Sequence, residues 1–423
     1  MMKAKNIFLL KTRVHSFVLL VFMMLVSAPQ MSAQTLAELK QISAEQNLEL
    51  KAQYKQFEAR LEQVNQAKAW QDPNLSFGYF ISPIETRVGP QVARLSLTQM
   101  FPWFGTYKVK GDIAAFQAEA EFQKFQDTKL KLFVEVSRQY YDLMAITYQI
   151  ELEQLQLSNL EDIRTIVQSQ YENNKAQLID VYRVDLDIDK QRNALKVLDR
   201  QNAALTARLN QLLNRNTSVA IVIENPKKVL EGIQMLSIDS ISSQHPRLKR
   251  LESIKASANK NVILAEKQNK PQFGVGLDYA FIQNSNVQNA DAGQDAIMPM
   301  LSMSLPIFGK KNKSRKKVAA LEEASVKLAL ENEALEIHTE LEIAYFKRQE
   351  LMDVLDLYET QLKDLNDMIR LSESALANTQ ISVEELLDLQ NERLMIEKLR
   401  VKTLAELHKN QQLIIYLTQN GQQ

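Results

Sequence analysis

The chain has 423 residues and no cysteine, and its 51 Lys and Arg residues are balanced by 51 Asp and Glu residues. This formal net charge of zero, with only 7% aromatic residues, gives no sign of a nucleic-acid-binding surface. The lack of cysteine excludes disulfides, thiolate metal sites and a cysteine nucleophile, and we expect no lipid anchor on an N-terminal cysteine.

Residues 1–33 have the three parts of a secretory signal peptide: a basic start, an apolar run over 17–26, and small residues ending at Ala33. The apolar run is too short to cross a bilayer as a helix, which takes about 20 residues. We therefore expect export, cleavage after Ala33, and a mature chain without a transmembrane helix.

The helix-breaking residues are distributed very unevenly. Residues 112–225 and 310–420 contain neither glycine nor proline, whereas 73–111 and 271–309 hold eight of the ten glycines and seven of the ten prolines. The uninterrupted tracts are rich in Leu, Ala, Glu, Lys and Gln, and from Val181 onward apolar residues follow a heptad spacing. We predict long helices, which need helical neighbours along their length.

Four segments within the breaker-rich regions alternate apolar residues with polar or small ones, which is typical of strands with one apolar face. The strands are predicted at about 74–81, 91–101, 272–282 and 296–305. In an exported protein such strands indicate a transmembrane β-barrel. Because four strands cannot close a barrel, several chains must contribute, and a trimer would give twelve strands.

An internal repeat organises these elements. Residues 47–73 match 245–271, and residues 97–105 match 301–309. Each copy contains a helix, two strands and a long helical hairpin, so the fold class is mainly α with a transmembrane β part. We predict a first repeat over 34–215 with its hairpin at about 106–215, a connecting or equatorial segment over 216–244, and a second repeat over 245–420 with its hairpin at about 310–420.

Two similar motifs stand where each second strand meets a long helix: Met-Phe-Pro-Trp-Phe-Gly ending at Gly105, and Leu-Pro-Ile-Phe-Gly ending at Gly309. Pro102 and Pro306 suit these junctions, because proline has no N–H for a strand ladder and its fixed φ fits a helix start. Together with the duplicated long helices, the motifs resemble TolC-family outer-membrane factors over essentially the whole chain after residue 33. Residues 70–75 look most similar to the CusC/CzcC-like branch, which is paired with heavy-metal pumps.

The resemblance implies a homotrimer with a twelve-stranded β-barrel in the outer membrane and a long coiled-coil α-helical barrel in the periplasm. Substrate would pass passively through the lumen of a tripartite efflux system. An inner-membrane pump, expected to be of the resistance-nodulation-division type, would supply the energy, and a periplasmic adaptor protein would dock at the helical tips. No catalytic, cofactor or metal site is expected. The expected partners include the lipid of the outer membrane but not nucleic acid.

The resemblance also assigns roles to the turns of the two hairpins. The adaptor-docking residues at these tips are Asn173, Asn174, Lys175, Asn378, Thr379 and Gln380. TolC-family chains usually have a glycine here, whereas Asn174 and Thr379 occupy the matching places. Because asparagine tolerates the left-handed conformation, we expect Asn173 or Asn174 to make the first turn. In the second turn we expect Asn378 rather than Thr379 to take this role.

Acidic residues follow both turns, where the family has acidic residues near its periplasmic entrance. In a trimer, Asp180, Glu385 and Asp388 would form an acidic ring that favours cations. A solvated helix face is the alternative for the same residues.

Three histidines follow the signal peptide, namely His245, His338 and His408; they lie singly on helical tracts, and we expect each at the surface or an interface. An enzyme is therefore not indicated. The alternative functions are an outer-membrane duct for type I protein secretion and, in a different class, a periplasmic coiled-coil scaffold or adaptor. The duplicated strand pairs argue against an adaptor, which should have one hairpin. The sequence does not identify the exported molecule: metal ion, drug and protein are all open.

Overall fold

The computed structural model describes residues 34–223, 225–231, 244–284, 293–377 and 381–419. The predicted signal peptide over 1–33 lies outside these residues, as does much of the predicted segment 216–244.

The described chain consists mainly of helices, with four strands in two pairs, which confirms the predicted fold class. In chain order the elements are α1 (Leu36–Gln46), α2 (Leu48–Lys68), β1 (Asn74–Ile84), β2 (Gln91–Phe101), α3 (Thr106–Glu172), α4 (Leu178–Leu212), α5 (Pro226–Glu231), α6 (Pro246–Lys267), β3 (Gln272–Ile282), β4 (Ala296–Ser304), α7 (Gly309–Ala377) and α8 (Val383–Thr418).

The strands form one antiparallel sheet in the order β1-β2-β3-β4, so β2 of the first strand pair joins β3 of the second. One continuous row across the sheet is Phe77, Leu95, Tyr279 and Ile297. The next row is Ser76, Ser96, Asp278 and Met298. One face is therefore apolar and the other mixed, as the alternation predicted. The apolar face is open, with Ile81 96% and Leu301 89% exposed.

The helices lie side by side in a single layer. α3 packs against α2 and α4 on one side and against α6 and α8 on the other. α6 and α8 also pack against α7, which therefore lies at one lateral end of the layer, while α2 and α4 lie at the other. The layer thus contains two long helices, α3 and α7, and two pairs of shorter helices, α2 with α4 and α6 with α8.

The heptad seam of α4 forms the contact with α3. Val181, Val184 and Ile188 are buried in a cluster with Leu160 and Ile163 of α3. Burying such side chains along a shared seam supplies the main favourable free energy of helix pairing, roughly 25 cal/mol per Å² of apolar surface. A second and larger cluster surrounds the middle of α3, where Leu39 of α1 and Leu230 of α5 are fully buried. The short helices α1 and α5 therefore pack beside the middle of α3.

None of the described helices combines the length and the hydropathy that a transmembrane span requires.

Two of the three histidines lie between packed helices rather than at the surface. His245 is fully buried at the N-cap of α6, and His408 is buried and stacks on Tyr141 with ring centroids 4.4 Å apart. Both lie where one helix packs on another, which a single histidine in a helical pattern does not reveal. His338 is exposed as expected.

Candidate functional site

The turn between α3 and α4 forms the tip of the first hairpin. Asn174 has φ +58°, a left-handed conformation that asparagine tolerates better than most residues, as the sequence predicted. Asn173 ends α3, and its side-chain Nδ2 donates to Ser169 O at 2.7 Å. The Lys175 N–H donates to Gln170 O at 2.8 Å, which closes the turn. The two asparagines therefore have different roles in the turn: Asn174 adopts the left-handed conformation, and Asn173 caps the helix.

The second tip lies between α7 and α8. Asn378, Thr379 and Gln380 lie outside the described residues, so their docking role remains a prediction. The chain is described again from Ile381, and Ser382 is the N-cap of α8.

Two of the three predicted acidic-ring residues have a local structural role. The Asp180 carboxylate accepts a hydrogen bond from Gln177 N–H at 3.0 Å, at the start of α4. The Glu385 carboxylate accepts from Ser382 N–H at 3.4 Å, while Ser382 Oγ accepts from Glu385 N–H at 3.2 Å. These are capping boxes, which satisfy backbone N–H groups that have no partner within the helix. Negative charge is also favoured at a helix N-terminus by the helix dipole.

The starts of α4 and α8 lie next to each other. A cleft of about 380 Å³ is lined by Asn174, Lys175 and Asp180 from the first tip and by Ser382 from the second. Next to this cleft, Arg183 Nη1 of α4 lies 2.5 Å from Glu384 Oε2 of α8. The structure therefore brings the described parts of both tips together at one end of the helical layer.

Asp388 lies one turn further along α8 and is exposed, like Glu385. The side chains of both residues are therefore available to water at the end of the layer that the sequence assigns to the entrance. Within the described residues, no three His, Asp or Glu side chains converge on a position that could hold a metal ion.

The strand-to-helix junctions lie at the other end of the long helices and differ between the copies. Gly105 is the N-cap of α3 with φ +73°, a conformation that side chains disfavour. Gly309 is instead the first residue of α7, without a positive φ and with open space around it. Pro102 directly follows the last residue of β2, and Pro306 lies two residues after the end of β4, so neither missing N–H interrupts a strand ladder. The two motifs are similar in sequence, but only the first needs glycine for its backbone.

A buried polar cluster between three helices escaped the sequence analysis. Glu153 of α3 is only 1% exposed and accepts hydrogen bonds from Gln191 of α4 and Lys398 of α8. Glu153, Leu160 and Val167 follow one another at seven-residue intervals, and Leu160 and Val167 are buried. This heptad spacing places Glu153 in the buried seam of α3 and is the feature of the sequence that could have predicted its burial.

A second polar pair, also absent from the sequence predictions, lies in the sheet. Arg94 of β2 and the buried Asp278 of β3 form a salt bridge on the mixed face, diagonally across the junction of the two repeats. Because a slip of one residue would move either side chain to the apolar face, the pair helps to specify the strand register.

Comparison with known proteins gives a sequence match and several matches of fold. Residues 39–215 match the family model described as outer membrane efflux protein. This range ends at the residue where the first repeat was predicted to end. The sequence matches no curated protein at a significant level.

Solved structures match almost the whole chain at low sequence identity. The crystal structure of CusC, described with transmembrane channel formation, has a TM-score of 0.74 at 15% identity, and the match covers 92% of both chains. The open state of the Neisseria gonorrhoeae MtrE outer membrane channel has a TM-score of 0.72 at 16% identity, covering 91% of this chain and 89% of MtrE. Vibrio cholerae VceC, an outer membrane protein, has a TM-score of 0.71 at 13% identity, covering 90% and 95%. At these identities the matches establish a shared fold.

Proposed function

We propose that this chain is an outer membrane efflux protein and the exit channel of a tripartite efflux system, because residues 39–215 match the model of that family, whose members are channel proteins and not enzymes. In this proposal the protein is a homotrimer. It lies in the outer membrane, extends into the periplasm, and conducts substrate passively from a periplasm-spanning pump complex to the outside.

The sheet is the single observation that carries the proposal. β1 and β4 are the outer strands of the four-stranded sheet, and each has a pairing partner on one side only within the described residues. Unpaired strand edges cannot exist in the hydrocarbon region of a membrane, so the sheet must continue into other chains. Three copies give twelve strands, an even number in the range of outer-membrane barrels.

The two faces of the sheet suit the lipid and the lumen of such a barrel. Phe77, Tyr79 and Leu301 are exposed on the apolar face, where hydrocarbon would cover them. Arg94 and Asp278 lie on the opposite face, which would line the water-filled interior. The apolar face would cost free energy in water, at roughly 25 cal/mol per Å² of apolar surface left uncovered.

The ends of the helical layer carry exposed apolar residues that suit contacts between subunits. On α7, Leu321, Leu328 and Leu335 are exposed at a spacing of seven residues. On α4, at the opposite end of the layer, Tyr182 and Leu186 are exposed. Packing α7 of one subunit against α2 and α4 of the next would cover both sets and close the layer into a barrel.

The hairpin tips would form the periplasmic entrance of this barrel. The cleft that joins Lys175 to Ser382 gives each subunit a paired tip, which supports docking of a periplasmic adaptor there. Asp180, Glu385 and Asp388, repeated three times, would ring the entrance and favour cations. An inner-membrane pump, which we propose to be of the resistance-nodulation-division type, would drive the transport.

The first test is the state of the protein in membranes. After extraction of outer membranes with detergent, light scattering corrected for bound detergent is expected to give the mass of three chains. Recovery of the protein as a soluble periplasmic species without detergent would contradict the channel and favour a coiled-coil scaffold.

The docking proposal is tested separately by replacing Lys175 with a photo-crosslinking residue. Illumination of cells is expected to join the tip to the adaptor encoded with the pump, while the same residue at Lys347, far along α7, is not. Equal cross-linking at both positions would contradict docking at the tip.

A further inference from the structure

Positive charge is concentrated at the start of α7. Six of the first nine residues of this helix are basic, in a chain whose charges balance overall. We call them the basic collar: Lys310, Lys311, Lys313, Arg315, Lys316 and Lys317. Lys108 and Lys110 lie at the matching start of α3, so both strand-to-helix junctions carry the same sign of charge.

This arrangement opposes the electrostatics of the helix itself. The N-terminus of a helix carries a partial positive charge, so cations in the first turns are unfavourable there, and they also repel one another. Neither α3 nor α7 has an acidic residue in its first turn to offset them. The collar therefore lowers the stability of the isolated protein. An anionic partner outside the chain would offset this loss.

The protein supplies little compensation of its own. Lys316 pairs with Glu266 at 3.5 Å, and Arg315 donates to neutral acceptors, Gln268 O at 3.1 Å and the Asn269 side chain at 3.0 Å. Lys310, Lys311, Lys313 and Lys317 are exposed, and no carboxylate pairs with them in the part of the chain that the structure describes. Four ammonium groups thus face outward from two helical turns.

Exposed aromatic and aliphatic residues adjoin the collar. Ile307 and Phe308, immediately before α7, are 74% and 73% exposed. At the first junction, Phe104 is 75% exposed and Trp70 is 71% exposed. Trp70 meets Phe101 of β2 edge to face, with ring centroids 5.6 Å apart. Such residues at the end of a barrel's apolar band mark the level where hydrocarbon gives way to headgroups.

We propose that the basic collar binds the phosphate groups of anionic phospholipids in the inner leaflet of the outer membrane. The proposal rests on the proposed function, because the junctions meet this leaflet only if the sheet spans the membrane and the helices extend into the periplasm. The apolar side chains place the collar at headgroup depth, and its lysines match the phosphate charge. Bound lipid would offset the repulsion at the start of α7 and fix the height of the barrel in the membrane.

The experiment compares lipid retention in two charge-matched variants. Native mass spectrometry of the detergent-solubilised protein, supplied with equal amounts of phosphatidylglycerol and phosphatidylcholine, gives the ratio of the two lipids bound. The test variant is K310Q/K311Q/K313Q, and the control is K327Q/K347Q/K363Q, which removes three exposed lysines further along the same helix. Because each lysine near an anionic surface contributes roughly a fivefold factor and three lysines are removed, we expect the ratio to fall about a hundredfold in the test variant and to stay near the wild-type value in the control.

An equal fall in both variants would show that net charge alone sets the preference, and an unchanged ratio in the test variant would show that the collar binds no lipid; either result overturns the proposal. Displacement of the lipid by excess inorganic phosphate would show an anion site without lipid specificity and would also overturn it. Trimer mass and channel conductance of the same samples distinguish these outcomes from a failure of the channel itself, since a working channel can lack lipid preference.

Discussion

Asp180 and Glu385 occupy equivalent positions in two different helices: each lies three residues after an N-cap residue and accepts a hydrogen bond from that residue's backbone N–H. A carboxylate there stabilises the helix start whether or not it faces a channel. The capping role and the proposed ring role can be separated, because glutamine can replace glutamate in a capping box while removing the charge.

Glu385→Gln combined with Asp388→Asn is therefore expected to change thermal stability little but to reduce the preference for cations. The measurement is the reversal potential in a salt gradient across a planar bilayer. Glu392→Gln, which removes an exposed charge further along α8, is the control and should retain the preference. Glu385→Ala should also lose the cap, at about 0.5–1 kcal/mol. An unchanged reversal potential in the double variant would leave only the capping role.

Lys398→Met is expected to destabilise the helical layer by about 2–3 kcal/mol, because it leaves the buried Glu153 carboxylate without its cation. Adding Glu153→Gln should restore much of the loss by removing the buried charge. Apparent melting temperatures from circular dichroism measure both effects. Lys402→Met, at an exposed position one turn away, should be nearly neutral. A similar loss in the two single variants would contradict a specific role of the buried pair.

His245 is expected to make the protein less stable as the pH falls from about 6.5 to about 4. Burial lowers the pKa of this histidine to about 4, so the unfolded chain takes up a proton at a higher pH than the folded protein does. The stability is present above pH 6.5 and is lost toward pH 4, by about 3 kcal/mol at most.

The variant His245→Asn tests this effect, because asparagine preserves an acceptor at the N-cap, where His245 Nδ1 accepts from Arg247 N–H at 3.2 Å. The melting temperature should depend less on pH in this variant than in the wild type. His338→Asn, whose side chain is exposed, should keep the pH dependence of the wild type. Identical pH profiles for the wild type and His245→Asn would refute the assignment.

Gly105→Ala should destabilise the first strand-to-helix junction by about 1–2 kcal/mol, because alanine disfavours φ +73°. Gly309→Ala at the second junction should be neutral or slightly stabilising, since this glycine already begins a helix and has space for a methyl group. Thermal unfolding of the two single variants gives the comparison, and equal effects would contradict the difference between the junctions.

The strands could be predicted because alternation is a local signal, as in the run from Phe273 to Phe281. The ends were less predictable, since β1 continues past Pro83 to Ile84. Proline is tolerated there because it falls in the pairing irregularity between Tyr79 and Ile84, where β1 makes no regular ladder with β2. Pro299 lies in β4, which pairs only with β3 within the described residues. Edge position is a property of the sheet and cannot be derived from one strand.

The polar contacts were less predictable than the helices that carry them. The apolar seam of α4 indicated the helix pair, but not that Gln191 meets the buried Glu153 across it. The sequence from Ser382 to Glu385 fits a capping box and could have predicted that contact. Whether the carboxylates also ring an entrance depends on subunit packing, which one chain's sequence does not specify.

Single-channel recording tests the central claim most directly. The purified protein, added to a planar lipid bilayer, is expected to produce discrete conductance steps that persist without ATP or a proton gradient, because a passive channel needs no energy of its own. Steps that favour cations would agree with an acidic entrance. A detergent-extracted protein that inserts into the bilayer but gives no conductance, or a protein that remains soluble and never inserts, would contradict the channel.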